Sequence, residues 1–136
     1  LGVSLCRWLL LHIGYIMHKG DDIPRVGVDA SLAEALVEMS KKGMGMTAIL
    51  DSAGGVAGIF TDGDLRRTLD RGIDIRRCRV AEVMTRDCIT ASADLLAAEA
   101  LQIMEENKIN GLLIVDPEAR LNGALNMHDL LRAGVM

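Results

Sequence analysis

Apolar positions between residues 25 and 72 follow first the spacing of strands and then that of helices. Leu32, Leu36 and Met39 predict the buried stripe of one helix. Short apolar runs before and after this helix, rich in β-branched residues, predict buried strands. The resulting order is β-α-β-β-α, with elements predicted at residues 25–28, 31–43, 47–50, 56–60 and 61–72.

The same pattern returns further along the chain. Glu34–Leu36 recurs as Glu99–Leu101, and this offset of 65 residues (99 − 34 = 65) also pairs Asp64 with Asp129. An internal repeat of this length usually marks a duplicated supersecondary unit. The second set of elements is predicted at residues 88–90, 95–107, 112–115 and 121–125, with a last helix from residue 128.

The most apolar stretch lies at the start of the chain. Apolar side chains in residues 1–17 fall on one face of a predicted helix, but the run is too short to span a bilayer comfortably. We interpret residues 1–15 as a connecting helix. The residues that follow, Ile16–His18, resemble Val83–Thr85 at an offset of 67 residues (84 − 17 = 67).

Composition and charge narrow the class of protein. The chain has 136 residues, of which half are apolar and only one each is Trp, Tyr and Phe, so the core must be aliphatic. A formal net charge of −4 and few aromatic rings disfavour a nucleic-acid partner. The three cysteines and three histidines lack metal-ligand spacing. We therefore expect a cytoplasmic protein with reduced thiols, no metal and no membrane or nucleic-acid partner.

One junction between a predicted strand and a predicted helix carries most of the candidate chemistry. Thr61 can cap the helix, and Asp64 lies in its first turn. A carboxylate can accept hydrogen bonds from ribose hydroxyls, and the guanidiniums of Arg66 and Arg67 could hold phosphate. The alternative is a capped surface helix with a solvated basic face. In both cases we expect Asp64 to be partly exposed.

A family resemblance adds to this pattern. Two β-α-β-β-α units with Gly-hydrophobic-x-Thr-x-x-Asp at the end of a strand resemble tandem cystathionine-β-synthase (CBS) domains. The resemblance implies an α+β fold, in which two pseudo-twofold-related CBS units, residues 16–75 and 76–136, pack as one Bateman module. Residues 16–21, 58–67 and 127–135 are also similar to the C-terminal half of the bacterial D-arabinose 5-phosphate isomerase family.

That family implies a function for the whole protein. Its N-terminal sugar isomerase (SIS) domain interconverts ribulose 5-phosphate and arabinose 5-phosphate in the synthesis of Kdo for lipopolysaccharide. The chain resembles only the regulatory half, so we expect a nucleotide-sensing CBS pair without catalytic activity, joined to the SIS domain through residues 1–15. A purely structural oligomerisation module without a ligand is the alternative. Either function implies a homo-oligomer, most simply a dimer of modules, and the resemblance allows a tetramer of the whole parent enzyme.

The resemblance also implies two nucleotide sites, since nucleotides lie in clefts of a Bateman module. Thr61 and Asp64 match its ribose-binding Thr-x-x-Asp, while Asn126 replaces the threonine before Asp129 in the second repeat. The residues expected near phosphate are Arg66, Arg67, His128 and Arg132. The residues expected to line a base pocket are Val28, Met46, Thr47, Ala48, Ile89, Gly111, Leu112 and Leu113.

The identity of the ligand stays open between two classes. Adenine nucleotides are the commonest ligands of similar modules. The pathway of the resembling enzymes favours instead its activated end product, CMP-Kdo. No obligatory cofactor is expected.

Overall fold

Residues 10–133 are described by a computed structural model, in which they form two compact units. The first unit comprises residues 21–88 with 119–121, and the second comprises residues 10–20, 89–118 and 122–133. The described residues contain five α-helices and two β-sheets. This is the α+β class that the sequence predicts.

The first unit is built on a four-stranded sheet with the order β1-β2-β3-β4. The pair β1–β2 is parallel, whereas β2–β3 and β3–β4 are antiparallel. The strands are β1 (Arg25–Gly27), β2 (Met46–Leu50), β3 (Val56–Thr61) and β4 (Thr85–Arg86). The helices are α1 (Leu32–Lys42), α2 (Asp62–Asp70) and α3 (Val80–Val83).

The second unit repeats this plan with a three-stranded sheet, in which β5 runs parallel to β6 and β7 follows. The strands are β5 (Thr90–Ala91), β6 (Gly111–Val115) and β7 (Leu121–Asn126). The helices are α4 (Ala97–Asn107) and α5 (Met127–Arg132), with a short 3-10 helix at Ile13–Tyr15. Another 3-10 helix, Gly20–Asp22, lies where the chain passes from this unit into the first. The first strand of this repeat thus begins at Thr90, two residues later than predicted.

Local signals set the bounds of α1. The hydroxyl of Ser31 accepts a hydrogen bond from the backbone N–H of Glu34 (3.1 Å) and caps the start of the helix. Gly43 ends the helix in the left-handed conformation (φ 69°), which glycine adopts without a steric cost. Both residues were read from the sequence, because capping depends only on near neighbours in the chain.

The hydrophobic core of each unit includes residues from the other repeat. Val80 and Met84 are buried in the core of the first unit, together with Leu32 and Phe60. Ile13, which is fully buried, and Met17 have the equivalent place in the second core. The offsets are equal (80 − 13 = 67 and 84 − 17 = 67). The predicted ranges 16–75 and 76–136 follow the repeats instead, and they stay a prediction about domain boundaries.

The connecting helix predicted over residues 1–15 falls mostly outside the described residues. Its described end is not α-helical. Ile13 N donates to Leu95 O (2.8 Å) and Gly14 N donates to Ala93 O (3.0 Å), so these backbone groups bond to the loop before α4. That part of the prediction was wrong, because distant backbone partners replaced the local bonds of a helix.

Thr47 carries a buried polar atom that has no hydrogen-bond partner within the described part of the chain. Its side chain is fully buried, and Thr47 lies opposite Phe60 in the β2–β3 pair, facing the first core. The equivalent residue of the second repeat is the core residue Leu112 (112 − 47 = 65). An unsatisfied buried hydroxyl costs about 1–3 kcal/mol.

Replacing Thr47 with valine should therefore raise the free energy of unfolding by about 1 kcal/mol, because valine has the same shape without the hydroxyl. Urea denaturation would measure the change. Thr68→Val is the matched control, since the buried hydroxyl of Thr68 donates to Asp64 O (2.8 Å) and its loss should not stabilise the chain. A lower stability of Thr47→Val than of the wild type would contradict this account.

Candidate functional site

The turn from β3 into α2 is closed by Thr61 and Asp64. The hydroxyl of Thr61 accepts a hydrogen bond from Asp64 N (3.3 Å). In return, Asp64 Oδ2 accepts hydrogen bonds from Thr61 N (3.0 Å) and from the Thr61 hydroxyl (3.1 Å). This reciprocal arrangement is a capping box. The Thr-x-x-Asp sequence therefore fixes the start of α2 before any ligand is considered.

The carboxylate of Asp64 is buried, with only 4% of its side chain exposed. Its second oxygen, Oδ1, accepts hydrogen bonds from Arg67 Nη2 (2.6 Å) and from the hydroxyl of Thr85 (2.8 Å). A carboxylate offers about four acceptor positions, and here all of them are used. The expectation of partial exposure was wrong, because the carboxylate turns back to close the cap of α2 and bonds to Thr85 on strand β4.

The second unit has the same arrangement at the start of α5. Asn126 Oδ1 accepts from Asp129 N (2.9 Å), and Asp129 Oδ2 accepts from Asn126 N (2.8 Å). Asp129 Oδ1 accepts from Arg132 Nη2 (2.6 Å) and lies 2.7 Å from His18 Nε2, which must donate because a carboxylate can only accept. The amide oxygen of Asn126 thus replaces the threonine hydroxyl as the acceptor of the helix cap.

Two residues at these carboxylates, Thr85 and His18, had no assigned role in the sequence. They occupy equivalent positions (85 − 18 = 67) and each follows a methionine. Their contacts span 21 and 111 residues of the chain, so no local pattern could reveal them. The repeat at an offset of 67 was the available signal.

Positive charge surrounds both buried carboxylates at the surface. The side chains of Arg67 and Arg132 are 68% and 70% exposed, although each donates to a carboxylate that is almost fully buried. Arg66 and His128, also predicted near phosphate, are exposed. A guanidinium at the surface can bind phosphate bidentately. The arrangement therefore combines acceptors for hydroxyls with donors for an anion.

The residues predicted to line a base pocket have different surroundings. Thr47 and Leu112 face the cores of their own units, and Val28 packs against the first core. Met46 and Ala48 are buried on the strand face opposite to Thr47. In the second unit Leu113 is buried, Gly111 is half-buried and Ile89 is 38% exposed. A shared pocket of these residues stays a prediction.

Other groups offer little chemistry within the described residues. Burial raises the pKa of the Cys78 thiol to about 11, and the Glu82 carboxylate adds to this effect. Burial also raises the pKa of Cys88, so both thiols are protonated near neutral pH and are weak nucleophiles. Residues 10–133 contain no cluster of three or more potential metal ligands. No helix in that range could cross a membrane.

Residues 13–71 and 80–135 each match the model of the CBS domain. The chain therefore belongs to the CBS domain family and contains two such domains in tandem. It is 58% identical over 135 residues to arabinose 5-phosphate isomerase KdsD of Pseudomonas aeruginosa. The aligned region covers 99% of this chain and only 41% of that enzyme. The similarity is thus to the CBS-containing part of KdsD.

Solved structures support the same fold. An uncharacterized conserved protein from Pyrococcus horikoshii superposes with a TM-score of 0.82 at 29% identity, covering 94% of this chain and 95% of that one. The CBS domain pair of protein MJ0100, in complex with 5′-methylthioadenosine and S-adenosyl-L-methionine, gives a TM-score of 0.80 at 25% identity. That match covers 90% of this chain and 94% of the other. The predicted tandem CBS fold is confirmed.

Proposed function

We propose that this chain is the nucleotide-sensing regulatory part of an arabinose 5-phosphate isomerase. The identity of 58% with KdsD supports the proposal that the parent protein is an arabinose 5-phosphate isomerase. In such an enzyme, the interconversion of ribulose 5-phosphate and arabinose 5-phosphate belongs to a sugar isomerase domain, and the CBS pair responds to a nucleotide. We therefore expect no isomerase activity from the 136 residues alone.

One observation carries the proposal: both repeats hold a buried carboxylate next to an exposed arginine three residues later. In the first unit, Asp64 with Thr61 would bind the ribose hydroxyls, while Arg67 would turn to the phosphate. Arg66 lies beside it as a second phosphate donor. Asn126, Asp129, Arg132 and His128 would have these roles in the second unit.

Two classes of nucleotide fit this chemistry, because the groups above recognise ribose and phosphate and not the base. The ligands of the MJ0100 pair both contain adenosine, which favours an adenine nucleotide such as AMP or ATP. Feedback by the end product of Kdo activation favours CMP-Kdo. In both cases the ligand acts as a regulator and no obligatory cofactor is needed.

The second candidate function is a structural module that sets the oligomeric state and binds no ligand. It is favoured by the complete hydrogen bonding of Asp64, which has a capping role without any nucleotide. Self-association into a dimer of modules belongs to both candidates, so the oligomeric state does not separate them. Ligand binding distinguishes the two candidate functions.

A thermal-shift panel with CMP-Kdo, CMP, AMP and ATP would test the proposal. At about a hundred times its Kd, a specific nucleotide should add roughly 2.7 kcal/mol to stability and raise the Tm visibly. The shift should be smaller for Arg67→Gln, which loses a phosphate donor. It should persist in Arg71→Gln, whose side chain lies just after the other end of α2. No shift with any of the four compounds would favour the structural module.

A further inference from the structure

Both buried carboxylates bind a donor from a segment outside their own repeat. Thr85 donates its hydroxyl to Asp64 Oδ1 (2.8 Å), and the imidazole of His18 binds Asp129 Oδ1 (2.7 Å). A hydroxyl and an imidazole thus make the same bond, at equivalent positions and to the same carboxylate oxygen. The hydrogen bond occurs in both units although the donor groups differ. This indicates that it is a structural feature of each unit.

The segment that carries Thr85 is attached to the edge of the sheet by few contacts. Strand β4 has two residues, both exposed, which pair with Gly58 and Ile59 of β3. Met84 anchors the segment in the core from one side. The bond from Thr85 to Asp64 is therefore a large part of what fastens β4 to the start of α2.

The hydrogen bonds of Asp64 leave no acceptor position for a nucleotide. Both bonds to Oδ2 come from Thr61 and close the cap of α2. The two bonds to Oδ1 come from side chains that can move, Arg67 and Thr85. Two ribose hydroxyls that donate to Oδ1 must therefore replace both of these donors. Arg67 is mostly exposed and is free to turn to the phosphate, whereas Thr85 loses its bond.

From this geometry we infer that the hydroxyl of Thr85 is a built-in competitor of the nucleotide at Asp64. Binding of a ribose releases Thr85 and loosens β4, the last strand of the first unit before the chain enters the second unit at residue 89. Occupancy of the site thereby changes the position of the last strand of the first unit. The inference rests on the proposed nucleotide function and adds to it the element that responds to the ligand.

Calorimetric titration of the 136-residue chain with CMP-Kdo, CMP, AMP and ATP tests the competition. Thr85→Val keeps the shape of the side chain and removes the competing donor, so its Kd should fall roughly two- to tenfold. Thr85→Ser keeps the hydroxyl and should retain the wild-type Kd. Thr90→Val changes an exposed threonine on the short strand β5 and should leave the Kd unchanged.

The direction of the change in Kd shows whether the Thr85 hydroxyl competes with the nucleotide or supports its binding. Equal or weaker binding by Thr85→Val, with wild-type binding intact, would overturn the competition and leave the nucleotide function in place. No binding of any of the four compounds by any of the chains would overturn both. Hydrogen exchange gives a second measurement, because saturating nucleotide should speed exchange in residues 84–87 of the wild type. Slowed or unchanged exchange there would also overturn the inference.

Discussion

Replacing Asp64 with alanine should lower the free energy of unfolding by roughly 2–4 kcal/mol and weaken nucleotide binding about ten- to a hundredfold. The loss of stability follows from the capping box, since the backbone N–H of Thr61 and the hydroxyl of Thr85 lose their acceptor. The loss of binding follows because a hydrogen bond to a charged group contributes about 1.5–3 kcal/mol. Urea denaturation and calorimetry would measure the two effects separately.

Asp62→Ala is the matched control for this substitution. Asp62 lies in the same first turn of α2, but its side chain is exposed. The control should therefore change stability by less than about 1 kcal/mol, through the helix dipole alone. Equal effects of the two substitutions would show that the buried hydrogen bonds of Asp64 contribute little.

Replacing Gly58 with alanine should also be strongly destabilising, by about 1–3 kcal/mol. A Cβ atom at Gly58 would lie 2.5 Å from the backbone oxygen of Thr85 and 3.0 Å from Met84 Sδ. The oxygen belongs to the backbone and cannot rotate away, so β4 must shift from its place beside β3. Denaturation in urea would report the loss of stability.

Gly27→Ala provides the comparison for Gly58, because Gly27 also lies in a strand of the same sheet. A Cβ atom at Gly27 would have no neighbour within 4 Å in the described part of the chain. Its substitution should be close to neutral. Similar stabilities of the two variants would contradict the close approach of β3 and β4.

The sequence predicted those features that depend on neighbouring residues. The periodicity of α1, its cap at Ser31 and the helix start at Thr61 are local, and the structure has them where the pattern placed them. The duplication was equally clear from the offset of 65 residues. The composition of each unit was not predicted, because the segments containing Ile13 and Val80 join cores formed by residues distant in the chain.

In the candidate site, too, the local contacts were predictable and the contacts between distant residues were not. Asp64 and Arg67 are three residues apart on one helix, so their ion pair follows from helical spacing. The bond from Thr85 to Asp64 spans 21 residues of the chain, and no periodic pattern encodes that distance. The hydroxyl of Thr47, which has no hydrogen-bond partner among residues 10–133, also became visible only when the partners of β2 were known.

A crystal structure of the chain with a bound nucleotide, chosen as the tightest of CMP-Kdo, CMP, AMP and ATP, would test the central claim most directly. We expect a ribose hydroxyl within about 2.5–3.0 Å of a carboxylate oxygen of Asp64, with Arg67 turned towards the phosphate. A nucleotide bound without contact to Asp64, or crystals that bind none of the four at millimolar concentration, would contradict the assignment of a ribose site.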